Sequence, residues 1–181
     1  MNLPQKNNTP PVARVPRTWR ARSGRWLFDI GLVVAVYAAV QLYQTRDATS
    51  GVAPPVVGKL LSGEPVVLGV SQGKPTLVHF WATWCSVCKL ERSNIEAIAR
   101  DYSIVTVASQ SGTSAEVAQY VQTHAMRAPV LVDEDGAVAA QFGVRAFPTS
   151  FIIDSAGQIR DVEVGYTTEW GLRLRLWWAS I

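Results

Sequence analysis

Hydrophobic and polar positions follow three rhythms along this chain. The first is unbroken. WLFDIGLVVAVYAAVQLY, residues 26–43, holds one acid, Asp29, and no base. As a helix at about 1.5 Å per residue it spans about 27 Å, close to a bilayer's hydrocarbon thickness. The second rhythm is a set of short apolar runs rich in β-formers. Thr76 to Ala82 (TLVHFWA), Ser103 to Ala108 (SIVTVA), Pro129 to Val132, Thr149 to Ile153 and Ile159 to Val164 predict strands, the last two joined through DSAG as a hairpin. A further strand is expected over Pro65 to Val70. The third rhythm is helical. Val87, Leu90, Ile95, Ile98 and Ala99 alternate with Lys89, Glu91, Arg92, Glu96 and Arg100, which predicts an amphipathic helix starting at or near Cys85. Ser114, with Glu116 in the first turn, opens a helix to about His124; Ala137 to Phe142 predicts a short one, and Thr168 opens the last. The order β-α-β-α-β-β-α predicts an α/β fold with a mixed central sheet and helices on both faces.

Charge sharpens the reading of the first run. Lys6, Arg14, Arg17, Arg20, Arg22 and Arg25 precede it without a single acid, whereas from Arg46 onward acids exceed cations by two. A nucleic-acid binder carries its basic surface on the folded domain, so that class is excluded. Arginines before an apolar run, with Trp26 and Tyr43 at its ends, predict one transmembrane helix with its N-terminal flank in the cytoplasm. A cleavable signal peptide shares the basic flank, but no A-x-A site follows the run; a buried core helix seldom follows such an arginine cluster. The expected organisation is a basic, disordered tail over 1–25, an anchor over 26–43, a linker over 44–55 and a folded domain over 56–181.

The chain has two cysteines, Cys85 and Cys88, in WATWCSVC. They fall where a buried strand gives way to a helix. Unpaired N–H groups and the helix dipole there favour a thiolate at Cys85, and Cys88, one turn on, is expected to face inward and be less accessible. A structural disulfide closing so short a loop contributes only about 2 kcal/mol before strain. Zinc wants four ligands, and the remaining histidines, His79 and His124, have no matching spacing. Copper(I) needs only two thiolates, so a copper-binding metallochaperone stands as the alternative to redox chemistry. The lack of methionine beyond Met1 and Met126 argues against it. A thiol peroxidase fits the strand-to-helix setting less well.

WATWCSVC after a buried strand, FPT at Phe147 to Thr149 and the element order together resemble the thioredoxin fold. VTVASQSG, GVRAFPTSFIIDSAGQIR and VGYTTEWGLRLRLWWAS are most similar to its membrane-anchored, periplasm-facing branch. That branch includes the TlpA and cytochrome c maturation proteins and the suppressor-of-copper-sensitivity D type. The resemblance covers Pro55 to Ile181. It implies a protein disulfide oxidoreductase without cofactor or metal, single-pass in the bacterial inner membrane with its C-terminal domain in the periplasm. Its implied partners are a periplasmic disulfide substrate and a membrane electron donor that keeps the pair reduced.

The resemblance also implies residue roles. Cys85 attacks a partner's disulfide and Cys88 resolves the mixed disulfide. Pro148 follows a cis bond, which sets the backbone of Phe147 beside the cysteines to receive an extended segment. Trp84 is a surface aromatic beside Cys85, while Trp81 packs in the core. Two residues compete to take the proton from Cys88. His79 stands six residues before Cys85, where thioredoxin has a buried acid; Glu91 stands three after Cys88, matching an acid of the TlpA-like relatives. A neutral buried histidine is a weak base, and Glu91 is expected at the edge of a cleft with its charge intact, so Glu91 ranks first. Apart from the resemblance, Glu91 reads as a solvated helix charge and His79 as an imidazole satisfied by a backbone carbonyl. Ser86-Val87 between the cysteines, where many relatives have a proline, leaves reductant or oxidant open, and Ser93 replaces a proline kink.

Overall fold

The computed structural model describes residues 19–45, 48–70 and 73–181. Residues 1–18, and with them most of the tail expected to be disordered, lie outside the described residues.

Two compact units make up the chain, residues 1–39 and 40–181. The first contains most of helix α1 (Trp19–Thr45), which starts earlier than the apolar run and takes in residues 19–25 of the basic segment. Side chains from Trp26 to Val40 are exposed on every side of the helix, Leu27, Phe28, Val33 and Tyr37 among them. Among the described residues no helix is long and apolar enough to cross a membrane. The spanning helix expected over 26–43 is therefore not shown.

The second unit is built on a six-stranded sheet in the order β1-β8-β7-β4-β5-β6. Its strands are β1 (Gly51–Val52), β4 (Thr76–Trp81), β5 (Ser103–Ser109), β6 (Val130–Asp133), β7 (Thr149–Ile153) and β8 (Gln158–Val164). β4 runs parallel to β5 and antiparallel to β7, so the sheet is mixed as expected. β1 falls inside the segment read as linker. The strand expected over Pro65 to Val70 forms as β3 (Pro65–Leu68), but it pairs with β2 (Val56–Lys59) in a separate hairpin rather than joining the sheet.

The apolar runs are strands because both sheet faces are covered, which buries alternate side chains on either side. On one face Val78, Phe80, Val107, Phe142, Phe151 and Ile153 pack together, with three phenylalanine rings, Phe80, Phe142 and Phe151, within 5.1–5.7 Å of one another. On the other, Leu77, Ile104 and Ile152 meet Ile95 and Ile98 of α2 (Ser86–Ile98) and Leu172 and Leu176 of α5 (Glu169–Trp178). Helix α3 (Ser114–Thr123) starts with a reciprocal cap between Thr113 and Glu116, and the short α4 (Ala137–Gln141) follows the turn at Gly136.

Candidate functional site

The site forms where β4 stops. Cys85 keeps extended backbone, φ −77° and ψ 114°, and serves as N-cap of α2. Its Sγ accepts from the Cys88 N–H at 3.1 Å, so an otherwise unpaired donor of the first turn points at sulfur, the arrangement that stabilises a thiolate. The two cysteines form a disulfide with Cα atoms 5.3 Å apart. The expected difference in accessibility is not seen in this oxidised state: both residues are 6% exposed. With the sulfurs bonded to each other, their exposure is shared.

Three loops converge on the pair. Phe147–Pro148 is a cis peptide bond, and Phe147 O lies 3.6 Å from Cys85 Sγ. The loop is pinned by Thr149 Oγ1 donating to Ala146 O at 2.8 Å and Gly165 N to Pro148 O at 2.9 Å. Trp84 is 62% exposed, with its ring edge-on to Phe147 at 5.7 Å and its Nε1 donating to Gln110 O at 2.9 Å. Thr83 N donates to Ser111 Oγ at 3.0 Å. Gln110 and Ser111, which position the aromatic rim, lie in the VTVASQSG stretch, but no role was expected of them. Trp81 is buried and stacks near Tyr120, centroids 5.5 Å apart.

The competing bases sit in different surroundings. His79 is buried on β4 and its Nδ1 lies 2.9 Å from Ser150 Oγ on the neighbouring β7, so its partner is a hydroxyl and not the expected backbone carbonyl. Burial lowers its pKa to about 3, so the imidazole is neutral. It lines a small cavity together with Cys88, Trp81, Thr106 and Tyr120. Glu91 corrects its expectation outright. It is neither a solvated charge nor at a cleft edge but fully buried. Oε1 accepts from Thr167 N at 3.1 Å, and Oε2 has no partner. Desolvation raises its pKa to about 7, with the Glu163 charge adding to the rise and the Thr167 bond opposing it. The cover over Glu91 is the segment between β8 and α5, held to α2 by Asn94 Nδ2 donating to Tyr166 OH and Thr167 O at 3.2 and 2.9 Å. Among the described residues no group of three or more His, Cys, Asp or Glu is arranged to hold a metal ion.

A buried strand delivering a CxxC pair to a helix N-terminus, opposite a cis-proline loop, is a recurrent arrangement, and the comparisons with known proteins agree. The AhpC/TSA family profile matches residues 50–162. A thioredoxin-like protein of Bacillus subtilis, YneN, is 35% identical over 158 residues, 80% of this chain and 92% of that one. The chain belongs to this family of thioredoxin-like thiol–disulfide oxidoreductases. The thiol:disulfide interchange protein DsbE of Pseudomonas fluorescens is 28% identical over 156 residues, covering 80% of this chain and 88% of its own. Among solved structures, the surface-exposed lipoprotein thioredoxin Etrx1 of Streptococcus pneumoniae superposes with a TM-score of 0.62 at 26% identity, covering 68% of this chain and 98% of that one. In this oxidoreductase the fold, the disulfide and the cis-proline loop therefore occur together, and the thiol–disulfide reading gains over copper carriage.

Proposed function

We propose that the protein is a membrane-anchored oxidoreductase that reduces disulfides of partner proteins on the periplasmic side of the inner membrane. The observation that carries the redox part is the Cys88 N–H directed at Cys85 Sγ at the head of α2. In the reduced protein the Cys85 thiolate attacks one sulfur of the substrate disulfide. A mixed disulfide forms and the substrate's other sulfur leaves as a thiolate. Cys88, deprotonated, then attacks Cys85 Sγ; the Cys85–Cys88 bond closes and the substrate leaves with both sulfurs reduced. Two electrons pass from the pair to the substrate, and the membrane electron donor restores them.

Glu91 takes the proton from Cys88. It stands one helical turn on, and a pKa of about 7 matches the operating pH of a general base, whereas His79, at about 3, holds a proton too weakly. The Phe147 backbone beside Cys85 receives the substrate as an added strand, with Trp84 as its aromatic rim. Residues 26–43 anchor the chain: apolar side chains on every side of α1 suit surrounding lipid and not a one-sided surface helix, and the arginines ahead of them set the orientation. Against an oxidising compartment, a reductant needs such an anchored supply of electrons.

The test is capture. Cys88→Ser protein, expressed in the native envelope, should accumulate mixed disulfides through Cys85. No adduct with Cys88→Ser, alongside adducts with Cys85→Ser, would reverse the assignment of attacking and resolving thiols.

A further inference from the structure

Helix α5 is apolar on two opposite sides. Leu172 and Leu176 are fully buried against the sheet. At about 100° per residue, Trp170, Leu174, Trp177 and Trp178 fall within an arc of about 100° on the far side. They are 79, 58, 55 and 71% exposed. A contiguous exposed apolar face marks an interaction surface, and nothing among the described residues covers this stripe.

Two observations say what does. The first is composition. Three of the four side chains are tryptophan, which favours the headgroup level of a bilayer, where an apolar ring and a polar N–H are both accommodated. The arginines flanking the stripe are already engaged: Arg173 with Glu169 and Asp101, both at 2.6–2.7 Å, and Arg175 with Asp161 and Glu163. The second is chain continuity. β1 pairs with Gln158 and Ile159 of β8, and farther along β8 Asp161 and Glu163 hold Arg175 of α5. An open groove between β8 and α5, lined by Arg160, Leu174 and Trp178, borders the same edge. The chain therefore enters the domain beside α5, and the eight steps from Tyr43 to Gly51 reach at most about 28 Å.

We propose that the Trp170–Leu174–Trp177–Trp178 stripe rests on the headgroup–acyl boundary of the bilayer that holds the anchor, fixing the orientation of the redox domain on the membrane. This rests on the anchoring proposed above. Because both arginines are paired, the docking is apolar in origin and indifferent to lipid charge and to salt.

Full-length protein labelled with fluorotryptophan and reconstituted in phosphatidylcholine nanodiscs tests both. Single Trp→Phe variants assign the fluorine resonances, and a headgroup-nitroxide lipid reports proximity. Trp26, Trp170, Trp177 and Trp178 should lose their signals, Trp81 and Trp84 should keep theirs, and anionic lipid or added salt should change nothing. The double variant Trp177→Glu/Trp178→Glu, at exposed positions, should restore the Trp170 signal. Loss at Trp26 with sharp Trp177 and Trp178 overturns the docking while leaving the anchor; sharp signals at all three overturn both. If the α5 signals respond to the number of chains per disc and not to the nitroxide lipid, a second copy covers the stripe and the proposal fails.

Discussion

His79 on β4 and Glu91 on α2 are two buried polar residues of opposite character. On the strand side, His79 has its Nδ1 paired with Ser150 Oγ, and burial keeps the ring neutral across the physiological range. On the helix side, Glu91 is half paired, with one oxygen on Thr167 N and the other without a partner. A satisfied buried group stabilises one packing and changes little during turnover. An unsatisfied carboxyl with a pKa near 7 exists in both protonation states at neutral pH, which is what the proposed base requires. The contrast teaches that burial alone does not set the state of a polar group: it holds His79 neutral and leaves Glu91 near its titration point.

Removing the attacking sulfur has the largest expected effect. Cys85→Ser should abolish reduction of a model disulfide altogether, as followed by substrate turbidity. Glu91→Gln comes next. It should slow exchange at neutral pH on the order of 10²-fold and raise the apparent pKa of Cys88, while His79→Asn stays near the wild-type rate. Stopped-flow measurements from pH 5 to 9 decide this, and a slow His79→Asn beside a normal Glu91→Gln would exchange the two roles.

Stability against pH sharpens the contrast, because the two groups act with opposite sign. Glu91 binds its proton more tightly folded than unfolded, about 7 against 4.5. Its contribution is complete below pH 4.5 and is lost as pH rises to 7, at about 1.4 kcal/mol per unit. His79 is lowered from 6.5 to about 3. Its contribution is present above 6.5 and is lost at a similar slope as pH falls towards 3. Between pH 4.5 and 6.5 the two slopes cancel. Urea unfolding should therefore show a plateau for the wild type, stability falling with rising pH for His79→Asn, and stability rising with pH for Glu91→Gln. Parallel curves for all three proteins would remove the electrostatic distinction. The smallest effect is expected from Ser150→Ala, which strands the His79 nitrogen and should cost about 1–3 kcal/mol with exchange rates unchanged.

Much of this site was legible before the fold. The strand Thr76–Trp81, Cys85 at the head of α2 and the sheet strands Thr149–Ile153 and Gln158–Val164 follow from local patterns. Alternation, caps and turn residues act over a few positions, so they survive in the sequence. Glu91 was misplaced for the same reason. Among Lys89, Arg92 and Glu96 its neighbours describe a solvated face, and no local pattern announces that residues 165–167 will cover it.

The amino-acid sequence by itself determined the redox pair, its place at a strand-to-helix junction and the order of elements from β4 onward, while the FPT loop beside the pair followed from the resemblance. Only the tertiary structure decided that Glu91 is buried, through Thr167 at a separation of 76 residues, and that His79 Nδ1 is paired, through Ser150 at 71. It also decided that β3 pairs with β2 outside the main sheet and that α5 keeps an uncovered tryptophan stripe. Desolvation and pairing depend on which distant segments pack across a side chain. That information lies in the sum of many weak contacts and in no single stretch of the chain.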